Sequence, residues 1–356
     1  MKTNHVKMLL SAMVVLLIAW GFSACSSNDS TPKVVKTDLI AAVAAANTLI
    51  STTHEGVGTG DYLKGSQAPL IAAIEQAQLV VDNTAATKAQ VTAAIANLTA
   101  AVTTYQNNKI TPIDPTNLVG QWTFDEIASA TVGATVKDYS GNSHDGTIKA
   151  GPAGWGSGVP ALTTDRYGNA NKALLFDKGA NIEIPYSTAL NPATLSISAW
   201  VKLSEVRNNR FIGLHSWIGY KFEVQDANYP FATVGYSGGS YDRAAGAALT
   251  QNTWYHLVVT FTAGEMIFYI NGVKDSKVQD ATPEPAVSIA GDPYNLVLGE
   301  DFPADQYAAT TANFDTDHKI PLDWGSYLHG SLDEVRIYKS VLTPTQVTSI
   351  YNAEKP

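Results

Sequence analysis

The chain has 356 residues, enough for two domains of ordinary size, and its 45% hydrophobic and 15% charged content suits packed cores and excludes wholesale disorder. Thirty-two acids against 23 lysines and arginines give a formal charge of -9, with no basic stripe, so nucleic acid is excluded as a partner. An acidic balance suits cation binding, and equally an ordinary solvated surface.

Lys2, His5 and Lys7 give the chain a basic start, and Met8 to Ala19 is an apolar run too short to span a membrane comfortably. Ser23-Ala24-Cys25 follows, and Cys25 is the chain's one cysteine, so no internal disulfide forms. This arrangement resembles a lipobox, the alternative being an ordinary secretory signal with a chance cysteine. The resemblance implies that residues 1–24 are a lipoprotein signal peptide and that Cys25 is acylated, carrying palmitate-type chains. Two or three such chains anchor stably, at about 0.8 kcal/mol per buried CH₂. Residues 25–34 are a polar tether, similar to those of lipoproteins exported to the outer face of the outer membrane. The localisation implied is lipid-anchored, in the outer membrane, facing the cell exterior.

Residues 35–108 are rich in alanine. Leu39, Val43, Ala46 and Ile50 recur at helical spacing, as do Leu70, Ile74, Ala77 and Val81, and then Val91, Ile95, Leu98 and Val102. Gly56 to Gly60 and Asp82-Asn83-Thr84 break the pattern, and Thr87 is placed to cap the third helix. A three-helix bundle is expected. Gly60-Asp61-Tyr62 and Ala94-Ile95-Ala96-Asn97-Leu98 resemble the FIVAR-like helical modules of bacterial surface proteins, which implies a spacer role more than ligand binding. Residues 109–117 hold Pro112 and Pro115 and read as a semi-rigid linker.

From Leu118 to the end, residues 118–356, the texture changes to short alternating runs separated by Gly, Asn, Asp and Pro. Ile182–Ile184, Ser196–Lys202, Lys221–Val224, Trp254–Phe261, Met266–Ile270, Leu296–Leu298 and Ser331–Tyr338 read as strands of an antiparallel sandwich. Asn271-Gly272 marks a hairpin turn, and Thr343-Pro344 opens a closing helix. The size suits an all-β jelly roll.

Five motifs carry a resemblance: Lys172 to Asp177, Leu195 to Lys202, Asn252 to Phe261, Ile267 to Gly272 and Gly330 to Tyr338. In this order they resemble the laminin-G-like, concanavalin A-like lectin/glucanase domains. Lys178 departs from the pattern by standing where the family has a glycine. The resemblance implies that Trp200 and Trp254 are structural. It also implies a structural Ca²⁺ that pins the first and last strands, held by Asp125, Asp333 and a backbone oxygen of Asn142 or Gly146, with Asp138 the next candidate. The alternative is an Asx-rich turn over Asp138–Gly146 held by its own hydrogen bonds.

Glycoside hydrolysis needs two carboxylates across the scissile bond. Glu223-Val224-Gln225-Asp226 lacks the final acid of the glucanase pattern, and Asp333 and Glu334, adjacent on a strand, should face opposite sides. The chain therefore reads as no enzyme. Glycans are bound by flat aromatic faces and planar polar groups. Both concentrate in Arg210–Tyr220, in Tyr236–Arg243 and in a long insertion, Asp301–His329. The candidate ligand residues are His215, Trp217, Tyr220, Tyr241, Arg243, Trp324 and Tyr327. A cell-surface protein is the alternative partner, and a hydrolase of the same superfamily the alternative activity.

Overall fold

The computed structural model describes residues 34–56, 60–277, 283–308 and 319–356. Cys25, the signal segment and all of the tether except Val34 lie outside the described residues. No helix among the described residues is long and apolar enough to cross a membrane.

Three helices, α1 (Thr37–Thr52), α2 (Gln67–Asp82) and α3 (Lys88–Asn107), pack through the positions the spacing selects. Leu39, Val43, Ala46, Leu70, Ile74, Ala77, Val91 and Leu98 are buried. Thr87 caps α3 in a reciprocal box with Gln90. Between α1 and α2 run two short parallel strands, β1 (Glu55–Gly56) and β2 (Tyr62–Leu63). They set Tyr62 flat on Tyr105 of α3, ring centroids 4.2 Å apart.

The rest of the chain is an all-β jelly-roll sandwich of the concanavalin A type. Its strands are β3 (Leu118–Trp122), β4 (Thr135–Val136), β5 (Gly146–Lys149), β6 (Ala161–Thr163), β7 (Ala173–Phe176), β8 (Asn181–Ile184), β9 (Leu195–Leu203) and β10 (Asn209–Leu214). There follow β11 (Tyr220–Val224), β12 (Pro230–Tyr236), β13 (Gly239–Ala244), β14 (Trp254–Thr262), β15 (Glu265–Ile270), β16 (Val273–Lys274), β17 (Leu296–Leu298) and β18 (Gly330–Tyr338). One sheet runs β13-β12-β11-β10-β17-β8-β5-β4 and the other β16-β15-β14-β9-β18-β7-β6, with β3 also paired to β18. Side chains such as Trp122, Phe176, Phe211, Phe222, Phe261 and Phe268 fill the space between them. Asn271 and Gly272 both take positive φ, 52° and 75°, the turn that matches the twist of β15 and β16. Lys178 takes a left-handed turn with φ 52°, the conformation that the glycine expected from the resemblance would adopt freely.

The closing helix α4 (Pro344–Glu354) starts at the Thr343 cap and lies on the outer face of the second sheet, burying Val347 and Ile350 against Val258, Tyr269 and Tyr338. Trp200 is buried under this helix, whereas Trp254 is half-buried with the Lys202 ammonium 5.1 Å from its ring. The linker is fastened to the same helix. Thr111 N–H donates to Ser349 Oγ at 3.0 Å, Gln346 Nε2 donates to the Pro112 carbonyl at 2.8 Å, and Ile113 packs into the cluster below.

Candidate functional site

The residues proposed for calcium divide into two places. Asp138 is buried and accepts four hydrogen bonds, from the N–H groups of Gln121, Ser140 and His144 and from the Ser140 hydroxyl, at 2.8–2.9 Å. Asn142 turns its amide inward, Nδ2 donating to the carbonyls of Leu118 and Val119. Gly146 is strand residue β5, packed on Ile182 and Ile184 with no room for a side chain. This is the loop held by its own hydrogen bonds.

Asp125 and Asp333 meet elsewhere, around Arg166. Asp333 Oδ2 accepts from Arg166 Nη1 at 2.7 Å, and Oδ1 from the Glu334 N–H. Burial, with Glu334 and Asp125 alongside, outweighs Arg166 and pushes the Asp333 carboxyl up to about 8. Burial raises Asp125 as well. Calcium takes six to eight oxygen ligands, ionised carboxylates first among them. Among the described residues no three acids, histidines or cysteines are gathered to hold a metal ion, and the carboxylates of Asp333 and Asp138 are already bonded. The residues present do not fit the calcium that the resemblance implies. A guanidinium stands beside Asp333 in its place.

Asp333 and Glu334 also break the expected alternation. β18 shifts register between Asp333 and Arg336, and Glu334 sits at φ 50°, a bulge that turns both carboxylates toward Arg166 (2.7 and 3.8 Å). Glu354 of α4 joins them: its Oε1 lies 2.7 Å from Arg336 Nη1, its Oε2 accepts from Trp200 Nε1, and its carbonyl from Arg166 Nε. A cleft of about 470 Å³ opens over this group, between the linker and α4, but its charges are paired with one another.

The aromatic candidates separate too. Tyr220 is in the core, 1% exposed, its hydroxyl donating to the Leu190 carbonyl at 2.8 Å, so it cannot meet a ligand. Tyr241 and Arg243 lie on β13, the edge strand two places from β11. Tyr241 packs partly buried against the core and Arg243 stacks on it at 4.2 Å. No aromatic contact joins them, among the described residues, to the other candidates.

His215, Trp217, Trp324 and Tyr327 do come together. His215 stacks on Tyr294 at 4.0 Å, and Trp217 lies 5.2 Å from Phe302 and 6.5 Å from Trp324, nearly at right angles to it. Trp155, which no sequence pattern singles out, joins Tyr307 at 4.7 Å to Tyr327 at 5.0 Å. The Arg207 guanidinium covers Tyr327 at 4.4 Å. His215, Phe302 and Tyr307 are buried and Trp155, Tyr294 and Tyr327 half-buried, but Trp217 and Trp324 are 38% and 48% exposed.

The scaffold beneath is ionic. Trp217 rides the tight β10–β11 turn, where His215 takes φ 51° and a Cβ on Gly219 would fall 2.1 Å from the Leu214 carbonyl oxygen. Arg210 of β10 donates Nε to Glu223 of β11 at 2.9 Å and pairs with Asp301, which also accepts from the Tyr307 hydroxyl. Arg210 Nη1 reaches the Trp324 carbonyl at 3.0 Å. One buried side chain thus ties both tryptophan-bearing segments to the sheet.

A laminin G family model, described as the concanavalin A-like lectin/glucanases superfamily, matches residues 176–348. The matched segment runs from the end of β7 into α4, within the sandwich. No curated protein matches the chain. Among solved structures it is similar to domain 4 of AbnA, a GH43 extracellular arabinanase from Geobacillus stearothermophilus in complex with arabinotriose, at 23% identity over 66% of this chain and 98% of that one, with a TM-score of 0.44. It is similar to the binding domain of Paraclostridial Mosquitocidal Protein 1, at 14% identity, 67% and 52% coverage and a TM-score of 0.46. Trypanosoma rangeli sialidase in complex with sialic acid is a third, at 12% identity, 68% and 33% coverage and a TM-score of 0.43. The chain therefore spans nearly all of the first, half of the second and a third of the third.

Proposed function

We propose that this is a surface-anchored, non-catalytic carbohydrate-binding lipoprotein, tethered through Cys25 and taking a glycan on the faces of Trp217 and Trp324. The observation that carries the reading is this pair: two tryptophans 6.5 Å apart, both partly exposed to solvent, on segments fixed by a buried ion network. Large apolar rings held out in solvent by a rigid support are suited to the C–H patches of sugar rings. The carboxylates beneath them argue for binding over hydrolysis. Glu223 and Asp301 are buried and paired with Arg210, so neither is free to act as acid or nucleophile at the surface. The helical module serves as a spacer.

The test is calorimetric titration of the purified protein with a panel of soluble polysaccharides. One polysaccharide should bind, and Trp217→Ala and Trp324→Ala should each weaken it about tenfold or more without lowering the melting temperature much. If no polysaccharide binds, or both variants bind as tightly as the parent, the reading fails and a protein partner takes its place. Replacing Cys25 by alanine should release the chain from the membrane fraction.

A further inference from the structure

Glu300, at the head of the insertion, is fully buried, and among the described residues it forms no ion pair. The buried charges around it already balance: Arg210 and Lys221 face Glu223 and Asp301, and among the described residues no cation is left for Glu300. Its Oε1 accepts from Asn181 Nδ2 at 3.3 Å. Among the described residues its buried Oε2 finds no hydrogen-bond partner, and neither does Oδ1 of the same Asn181. Two unpartnered oxygens, one on each member of a bonded pair, repel when both are bare and bond when one carries a proton. A buried acceptor without a donor costs about 1–3 kcal/mol, and more for a charge.

We propose that Glu300 is held as the neutral acid, its Oε2–H donating to Asn181 Oδ1 to close a two-bond acid–amide pair, and that this pair positions the aromatic platform above it. A Cβ on Gly179 would meet Glu300 Oε1 at 2.7 Å and the Trp155 ring at 2.8 Å, so acid and ring both crowd the side of this residue where a side chain would stand. Glu300 also bridges Tyr327 main chain to main chain. The Glu300 side chain thus packs against the Gly179 turn that the Trp155 ring also contacts, while its main chain joins the start of the insertion to Tyr327 near its end. The charged groups bearing on it are Asp301, next in the chain, and Glu183 on β8, both of which disfavour its ionisation. Arg210 and Lys221 act on Asp301, and Tyr307 shares that side. In the turn above, Asp177 holds the His329 ring at 2.9 Å, and the Lys178 side chain runs along Gly156. Burial holds the carboxyl well above its ordinary range.

The platform's role as a glycan site rests on the function proposed above; the protonation does not, and the test separates them. In Glu300→Gln the amide supplies the donor permanently. At pH 7 an infrared difference spectrum, parent minus E300Q, should show a protonated-carboxyl stretch. From about pH 5 upward the parent's folding equilibrium should fall about tenfold per pH unit relative to E300Q, the signature of one proton held only by the fold. Acrylamide quenching of tryptophan should rise with pH in the parent and stay flat in E300Q. Absence of the carboxyl band, or a pH-independent difference in stability, overturns the neutral acid. A band with flat quenching overturns the positioning. Should E300Q fail to fold, the band is read in Glu334→Gln protein carrying isotope-labelled glutamate, and its absence at pH 7 is equally decisive. Loss of polysaccharide binding plays no part in these outcomes.

Discussion

Arg210 and Tyr220 show how two residues from one sequence segment came to opposite fates. Arg210 serves Glu223, Asp301 and the Trp324 carbonyl at once, and its partners lie 13, 91 and 114 residues away. Removing one member of a buried charge pair leaves the others desolvated and unpaired, at about 3–5 kcal/mol. Arg210→Met should lower stability by that amount in urea unfolding and weaken polysaccharide binding as the tryptophan turns loosen. Unchanged stability would mean that the ion network does not hold the platform. Tyr220 has one bond, from its hydroxyl to the Leu190 carbonyl. Tyr220→Phe should cost about 1 kcal/mol and leave binding untouched. The sequence held a signal for this: Tyr220, Phe222 and Val224 alternate in phase, the mark of one face of a strand, and all three point into the core. Grouping Tyr220 with the turn aromatics set chemistry above periodicity. For Arg210 no local signal exists, because its meaning lies in partners the fold brings from afar.

Elements explain what became of the calcium expectation. The Asp138 loop is oxygen-rich, as a calcium loop would be, but its oxygens face its own N–H groups and those of β3. Composition cannot separate the two, since an Asx turn and a cation loop draw on the same residues. EDTA should therefore leave the melting temperature where it is, and added calcium should not raise it. Asp138→Ala, which strands four donors, should cost about 3 kcal/mol or more with or without calcium. A clear upward shift with calcium, lost on substitution of Asp125 or Asp333, would restore the metal. The strands themselves were legible because each carries its own alternation, and the helix starts because Thr87 and Thr343 cap in the way their spacing promised. The bulge at Glu334 was not legible: a non-glycine residue at φ 50° leaves no mark in the alternation of its neighbours. It turns what looked like an opposed pair of acids into a joint clamp on Arg166.

At the scale of the molecule, buried titrating groups set where in pH the fold is most stable. His256 is fully buried on the outer face of β14, its Nε2 2.8 Å from the Ser198 hydroxyl and its ring against Trp200 and Tyr351. Burial, with Arg336 and Arg166 adding to it, lowers its pKa to about 3. Unfolded histidine binds its proton near 6.5, so between about pH 6.5 and 3 the unfolded chain holds a proton the fold refuses. Stability is lost as pH falls through that window, at about 1.4 kcal/mol per unit. Asp333 works in the opposite sense. Its folded pKa is about 8 against about 3.9 unfolded, so the fold holds a proton the unfolded chain has released, and stability is lost as pH rises from about 4 to 8. Glu334 and Glu300, also raised by burial, push the same way as Asp333. Between about pH 4 and 6.5 the histidine offsets one such acid; above 6.5 nothing from His256 remains, and Asp333 alone removes about 2 kcal/mol by pH 8. The optimum should therefore lie on the acid side of neutrality, with a higher urea midpoint at pH 5.5 than at pH 8. Asp333→Asn should flatten the limb above 6.5, and His256→Phe, which keeps the ring packing, should flatten the limb on the acid side. A profile that peaks above pH 7 and ignores both substitutions would show that these groups titrate in the fold as they do in water, and that neither the α4 clamp nor the histidine beneath it is sealed from solvent.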